Sequence, residues 1–239
     1  MIKKIETPDE FNNFNKTDIY SVRIMSLLSA YGTGYDFAVF YKQLDDDGKI
    51  TAIISRLDSD ITISYSDCNF DELIEFIEAI GCSSCLCDGL AGYNRTFDSG
   101  IIMSSDKKKY FSAPCAEADH YPKLMDLFSL DDYDSADFEM WYVDVCHRIR
   151  HGCAKAYSLN INGEIISSGI FSSIYNNNAI LTSVRTAPGF RHLGFGSALV
   201  SEMVNDVKGT VYLMREAEKN EGFYKRLGFE NTGIWRMYK

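Results

Sequence analysis

The spacing of apolar residues divides the first half of the chain into helical and extended segments. Apolar positions three or four residues apart predict a helix, as in the stripe formed by Leu73, Ile74 and Ile77. Runs rich in β-branched residues between Asp-rich turns predict strands. The predicted order is a helix at 11–31, strands at 36–42, 50–57 and 61–65, a helix at 70–80 and a strand at 85–87.

The second half of the chain repeats this coarse order. Its strongest turn signal is Asn162-Gly163, which lies between two extended runs and predicts a hairpin. The predicted segments are a helix at 121–128, an acidic loop at 129–137, a helix at 138–150, strands at 155–161, 164–175 and 179–186, a helix from 197 and a strand at 210–214. The repetition predicts two α/β lobes, with domains at 1–105 and 106–239.

The junction between the predicted lobes lies at 90–109. This stretch contains three consecutive lysines and has no clear periodicity. A solvated linker is favoured there over a basic docking patch, because short charge runs usually face solvent.

Composition and charge limit the classes of partner. The 239 residues carry a formal net charge of −10, which disfavours binding to nucleic acid and fits cationic acceptors such as amines, although acidity also serves solubility. The chain has no apolar run of membrane-spanning length, and residues 1–8 lack the apolar core of a signal peptide. A cytoplasmic protein without a membrane partner is therefore expected.

The cysteines favour the same compartment. Seven is an odd number, which argues against a complete disulfide framework. Cys82, Cys85 and Cys87 are close in sequence, but no second Cys/His pair follows at zinc-like spacing. We interpret them as buried small hydrophobic residues, and no metal is expected.

Residues 181–200 carry the clearest chemical signal. A β-branched run ends at Pro188-Gly189, and Arg191, Gly194 and Gly196 precede an apolar helical pattern. Strand, glycine-rich turn and helix N-terminus in succession form an anion site, because bare backbone N–H groups and the helix dipole both favour negative charge. The glycine spacing fits neither the dinucleotide-binding fingerprint nor the Walker loop.

The pattern Arg-x-x-Gly-x-Gly within residues 184–199 resembles motif A of the GNAT superfamily, the acyl-CoA-dependent N-acyltransferases. Residues 220–230 resemble motif B of that family, in the expected order and after one helix and one strand. The resemblance covers residues 113–239. It implies an α/β (α+β) fold in the C-terminal lobe, with a mixed, mostly antiparallel sheet flanked by helices.

The first lobe lacks the glycine-rich turn. Residues 66–69, between its third predicted strand and the next helix, contain neither glycine nor arginine, and Asp67 would repel phosphate. The first lobe is therefore either a similar, smaller GNAT-like lobe that has lost the cofactor site or an unrelated small α+β domain. We expect it to shape the acceptor site or to form a homodimer interface.

The resemblance also implies an acetyl-CoA site, with acetyl-CoA as co-substrate. The backbone of the strand before the loop would pair with the pantetheine arm, and the loop amides would hold the diphosphate. The cofactor-binding residues implied are Val184, Arg185, Thr186, Arg191, His192, Leu193, Gly194, Phe195, Gly196, Ser197 and Asn220. Asn220 has the alternative role of helix cap.

The resemblance implies fewer catalytic residues than cofactor-binding residues. Tyr224 occupies the position of the motif B tyrosine that protonates the departing thiolate, although it could also serve only as a packing aromatic. For the general base, Glu216 is one candidate and the helix face with Asp144 and His147 is another, while a water chain needs no dedicated base. The expected function is transfer of an acetyl group to a primary amine of a small molecule or peptide, in a ternary complex. The alternative is a non-catalytic acyl-CoA-binding or regulatory module.

Overall fold

The chain folds into two units. The computed structural model describes residues 1–113, 115–127, 130 and 135–239, with the backbone alone at 135–138. One unit contains Met1–Ile102 and Gly233–Lys239, and the other contains Met103–Thr232. The predicted domains, 1–105 and 106–239, differ from these bounds mainly in the last seven residues, which pack with the first unit. Whether each unit is a domain in its own right stays a prediction.

The first unit contains two helices on a mostly antiparallel sheet. β1 to β4 pair antiparallel in chain order, and β4 pairs in parallel with β5. Residues 236–238 of β12 add an antiparallel neighbour to β5. The elements are β1 (Ile2–Lys4), α1 (Ile19–Tyr31), β2 (Ala38–Leu44), β3 (Ile50–Leu57), β4 (Asp60–Tyr65), α2 (Phe70–Ile80), β5 (Ser84–Cys87) and β6 (Phe97–Ser105).

Two buried clusters hold this unit together. One joins α1 to β2 and β3, with Ile24, Phe40 and Ile53 at its centre. The other joins α2 to β4 and β5, and it includes Leu73 and Ile77 of the predicted stripe. Cys85 and Cys87 lie in the second cluster with no exposed surface, which confirms that they are buried. Cys82 is only half-buried, because it precedes β5 and packs against the edge of this cluster.

Glu10 adds a pH-dependent contribution to this unit. Its carboxylate accepts hydrogen bonds from the Glu6 and Thr7 backbone and lies 2.8 Å from Lys42 Nζ. The bond from Lys42, followed by the backbone bonds, lowers the pKa of Glu10 to about 2.

Glu10→Gln is therefore expected to destabilise the protein by about 1 kcal/mol at pH 7, because the charge-assisted bond is lost. A carboxyl with a lowered pKa in the folded state stabilises above its unfolded pKa, so this contribution disappears as the pH falls from about 4.5 towards 2. Urea unfolding at pH 7 and pH 3 checks this: the stability gap between the wild-type protein and Glu10→Gln should shrink at pH 3. A gap that is equal at both pH values would contradict it.

The second unit also has helices on a mostly antiparallel sheet. β7, β8, β9 and β10 pair antiparallel, and β10 pairs in parallel with β11. Its elements are β7 (Glu117–Asp119), α3 (Leu124–Leu127), α4 (Ser135–Arg150), β8 (Lys155–Ile161), β9 (Glu164–Tyr175), β10 (Asn178–Thr186), α5 (Phe195–Asp206), β11 (Val211–Arg215), α6 (Glu221–Arg226) and the start of β12 (Glu230–Tyr238).

The core of the second unit lies on both faces of β8 to β10. On one side, α3 and α4 pack through Leu124, Leu127 and Val145, with Trp141 and Ile149 beside them. On the other side, Met203 of α5 lies so close to Gly169 on β9 that a Cβ there would be 2.7 Å from its Sδ. Most of the predicted acidic loop at 129–137, and the side chain of Phe138, lie outside the described residues.

The two units share one order of elements. In each, a helix precedes three antiparallel strands, a second helix follows, and the next strand pairs in parallel with the third. This arrangement confirms the predicted fold class, a mixed and mostly antiparallel sheet with flanking helices, including the similar N-terminal lobe.

The linker prediction at 90–109 is wrong, because much of this stretch is ordered by contacts. Phe97–Ser105 forms β6. After it, Lys108 Nζ donates to the carbonyl oxygens of Val204 at 2.7 Å and Asn205 at 3.0 Å. An ammonium group at this position bonds carbonyls at the end of α5 and favours the negative end of its dipole. Lys108 thus caps α5, a role that its sequence position alone does not reveal.

The first predicted helix also starts later than expected. Residues 8–11 form a separate 3-10 turn, and α1 begins at Ile19 because the Asp18 carboxylate accepts the Ser21 N–H at 2.7 Å.

None of the helices in the described part of the chain combines the length and the apolar character that crossing a membrane requires.

Candidate active site

The site begins where β10 separates from β11. Among the described residues, the two strands pair at Ala179 and Ile180 only, so the remainder of β10 has an edge that β11 does not cover. On the other edge, the pairing with β9 shifts register between Thr182 and Arg185. Ser183 lies in this bulge with φ +52°, a left-handed conformation that is uncommon for a non-glycine residue. The result is a strand whose last third presents backbone groups to a groove.

A turn and a helix N-terminus follow directly. Pro188–Phe190 is a short 3-10 turn, and α5 begins after Gly194, whose φ of +93° suits glycine. After Arg191, the first amide in the described chain with a backbone acceptor is that of Ala198, which donates to Gly194 O at 3.0 Å. The amides from His192 to Ser197 have no acceptor within the described protein. Such amides at a helix start favour an anion.

These elements surround one open cavity of about 400 Å³. Residues from β10, the loop, the start of α5 and α6 all line it. The lining residues are Val184, Thr186, Phe190, Arg191, His192, Gly194, Gly196, Ser197, Asn220, Phe223, Tyr224 and Arg226.

Two arginines bring positive charge to the cavity. Arg191 also fixes the loop, because its Nε donates to Thr186 O at the end of β10 at 3.0 Å. Arg226 approaches from α6, and no carboxylate stands among the described residues of the lining. The cavity is therefore cationic although the whole chain is acidic, and it suits an anionic ligand.

Tyr224 brings a phenol to the same cavity. Its ring lies edge-on to Phe223 and Phe229, at centroid distances of 5.0 and 5.7 Å. Burial raises the pKa of Tyr224 above its ordinary value, while the nearby charge of Arg185 partly opposes the shift. The phenol is therefore protonated at neutral pH. In the described part of the chain, the hydroxyl makes no hydrogen bond to another protein group.

The comparison with known families follows this geometry. A family model described as Acetyltransferase (GNAT) family matches residues 119–229, which include β10, the loop, α5 and α6. Residues 119–229 are a GNAT domain. The search for curated relatives found no match.

Solved structures extend the likeness to the whole chain. A GCN5-related N-acetyltransferase from Kribbella flavida has a TM-score of 0.59 at 12% identity, with 92% of this chain and 93% of that chain covered. A protein from Drosophila has a TM-score of 0.66 at 14% identity, with coverages of 99% and 97%. A tandem GNAT protein from the clavulanic acid biosynthesis pathway has a TM-score of 0.55 at 10% identity, with coverages of 100% and 97%. At these low identities, the TM-scores show a shared fold. The likeness to the tandem GNAT protein agrees with two similar lobes in this chain.

Most of the predicted cofactor residues meet in the cavity of the GNAT domain. Arg185, Leu193 and Phe195 belong to the same segments but do not line it. Three lining residues were missed by the sequence analysis: Phe190, Phe223 and Arg226. Each is a close neighbour of a predicted residue, so the only available signal was proximity to a motif. Asn220 precedes α6 with φ +60° and makes no side-chain cap, so the capping role is not seen.

The candidate bases lie elsewhere. Glu216 does not line the cavity; its side chain is 63% exposed and lies 2.8 Å from Lys219 Nζ. Asp144 forms an ion pair with Arg148 one helical turn away, and the His147 ring lies 4.4 Å from that of His151. Glu216 therefore does not reach the cavity, because its exposed carboxylate pairs with Lys219, three residues further along the chain.

Among the described residues, no group of three or more His, Cys, Asp or Glu side chains could hold a metal ion.

Proposed function

We propose that the GNAT domain transfers an acetyl group from acetyl-CoA to a primary amine by direct attack in a ternary complex. GNAT proteins are generally acyltransferases, and the fold supports acyl transfer. The observation that carries the finer proposal is the combination of free loop amides, two arginines and a protonated tyrosine in one cavity.

The donor would lie along β10 and the loop. The diphosphate of CoA would accept hydrogen bonds from the amides between His192 and Ser197, where the dipole of α5 also favours negative charge. The amides of the pantetheine arm would pair with the uncovered edge of β10 near Val184, as an added strand. Arg191 and Arg226 would supply the opposing charge.

The transfer itself would need few groups from the protein. The amine nitrogen, in its neutral form, would form a bond to the thioester carbon, and the carbon–sulfur bond would break. A backbone N–H at the β10 bulge would stabilise the oxyanion. The Tyr224 hydroxyl would donate its proton to the departing sulfur, water would carry the amine proton to solvent, and solvent would return a proton to the Tyr224 phenolate after the thiol has left. Because none of the described residues that line the cavity is a carboxylate, a water chain replaces the dedicated base in this proposal.

Free-thiol release from acetyl-CoA tests the proposal directly. The purified full-length chain would be incubated with a panel containing an aliphatic diamine, an amino sugar and a peptide with a free N-terminus. Mass spectrometry would then identify the acetylated product. Amine-dependent thiol release with a matching acetylated product is the expected result. Thiol release that is independent of every amine would contradict N-acetylation.

A non-catalytic acyl-CoA-binding module is the alternative, and it is favoured by the described part of the cavity lining, which holds no carboxylate. Calorimetric titration with CoA separates the two functions. Tight CoA binding without turnover on any amine would support the module. Neither binding nor turnover would remove the cavity from both proposals.

A further inference from the structure

Arg215 is a buried charge in the GNAT domain that the proposed chemistry does not use. It is the last residue of β11, and its side chain is only 4% exposed. A guanidinium is costly to bury unless its N–H groups are paired. The partners of Arg215 therefore indicate what its burial achieves.

Each of the three guanidinium nitrogens has a partner within the second unit. Nη1 donates to the carbonyl oxygen of Glu216 at 3.0 Å and to that of Ala217. Nη2 lies 3.4 Å from the Glu221 carboxylate and 3.5 Å from Asn231 Oδ1. Nε faces the Met103 sulfur at 3.2 Å. Three of these partners belong to the connection between β11 and α6 or to the first turn of α6.

In the described chain, no side chain caps the start of helix α6. It has six residues, and Asn220 before it adopts a left-handed conformation without a side-chain cap. So short a helix is not stable by itself. Glu221 lies three residues before Tyr224, and the Tyr224 N–H donates to Asn220 O at 3.2 Å. The Arg215 contacts thus set the position from which the Tyr224 ring enters the cavity.

We infer that Arg215 is a positioning residue for acyl transfer, which holds the β11–α6 connection and Glu221 so that the Tyr224 hydroxyl reaches the departing sulfur. This inference rests on the proposed function. It assigns to Arg215 no contact with the substrate or with CoA. The displacement of Tyr224 should lower the turnover number and leave the diphosphate site on α5 intact.

Arg215→Met tests the inference, because methionine fills the space without the donors. We expect kcat to fall about 10- to 100-fold, as for other small misplacements of catalytic groups, while KM for acetyl-CoA stays within threefold. Arg215→Lys keeps the charge but cannot bond several acceptors at once, so an intermediate kcat is expected. Glu221→Gln removes only the charge of the partner, and it should lower kcat without loss of fold. Lys225→Gln is the matched control, since Lys225 contacts the same carboxylate at 2.6 Å from the exposed side.

Hydrogen exchange followed by mass spectrometry gives a readout that does not need turnover. Arg215→Met and Glu221→Gln should speed exchange in peptides that cover residues 216–226 and leave those covering α5 unchanged. If Arg215→Met does not fold, Glu221→Gln alone decides. A wild-type kcat in Glu221→Gln, or unchanged exchange at 216–226, would overturn the inference. A wild-type protein without acyl transfer would refute the proposed function instead, and the exchange data would still show whether Arg215 holds α6.

Discussion

Replacement of Tyr224 by phenylalanine is expected to lower the rate of acyl transfer by about 10²- to 10³-fold, the range typical of a lost general acid. The hydroxyl makes no hydrogen bond within the described protein, so its removal should cost little stability. The ring, which packs against Phe223 and Phe229, is kept. The affinity for CoA should therefore change less than twofold, as measured by calorimetry beside steady-state kinetics.

The pH dependence of the wild-type protein gives a second test of Tyr224. Because burial raises the pKa of Tyr224 above its ordinary value of about 10, its ionisation should cause no fall in rate from pH 7 to about 9. Tyr110→Phe is the matched control, since Tyr110 is 84% exposed. A Tyr224→Phe protein with wild-type turnover would exclude the acid role.

Replacement of Gly196 by leucine is expected to weaken CoA binding by about 10- to 100-fold. A Cβ at Gly196 would lie 3.2 Å from Thr186 Oγ1 and 3.7 Å from Phe223, which both line the cavity, so a larger side chain would take up space that the ligand needs. The loss of one hydrogen bond to a charged group corresponds to about 1.5–3 kcal/mol. Calorimetry with CoA measures the effect.

Substitutions at two other glycines distinguish steric blocking of the ligand from strain in the loop backbone. Gly194 has open space around it but a φ of +93°, so Gly194→Leu should weaken CoA binding mainly by straining the loop. Gly189 has open space and no such strain, which makes Gly189→Ala the matched control with unchanged affinity. Wild-type affinity in Gly196→Leu would show that the diphosphate does not approach these amides.

The sequence predicted regular elements best where the local pattern was strong. The bounds of α2, β3, β8 and β9 agree with the predicted segments, because each combines a clear period with definite turn residues. The three-residue strands β1 and β7 were not foreseen, since such short strands depend on their neighbours. The role of Lys108 was missed for the same reason, because its acceptors lie about 96 to 99 residues further along the chain.

In the candidate site too, the sequence predicted the features that depend on a local pattern and missed those that depend on the fold. The glycine pattern identified the loop, because backbone approach to an anion requires residues without bulky side chains. The uncovered edge of β10 was implied by the family resemblance alone, because the residue pattern does not show that the pairing with β11 stops at Ile180. Glu216 was chosen as a base from its place after a strand, whereas its ion pair with Lys219 on the surface depends on the turn that follows.

The closing strand of the first unit has a consequence for biosynthesis. Tyr238 is 4% exposed there, and its hydroxyl accepts a hydrogen bond from the Leu90 N–H at 2.9 Å. During translation, residues 1–102 leave the ribosome long before residues 233–239. The sheet of the first unit can therefore be completed only after the second unit has been synthesised. A fragment truncated at residue 102 would leave β5 without its antiparallel neighbour, so the first unit has to be produced together with residues 233–239.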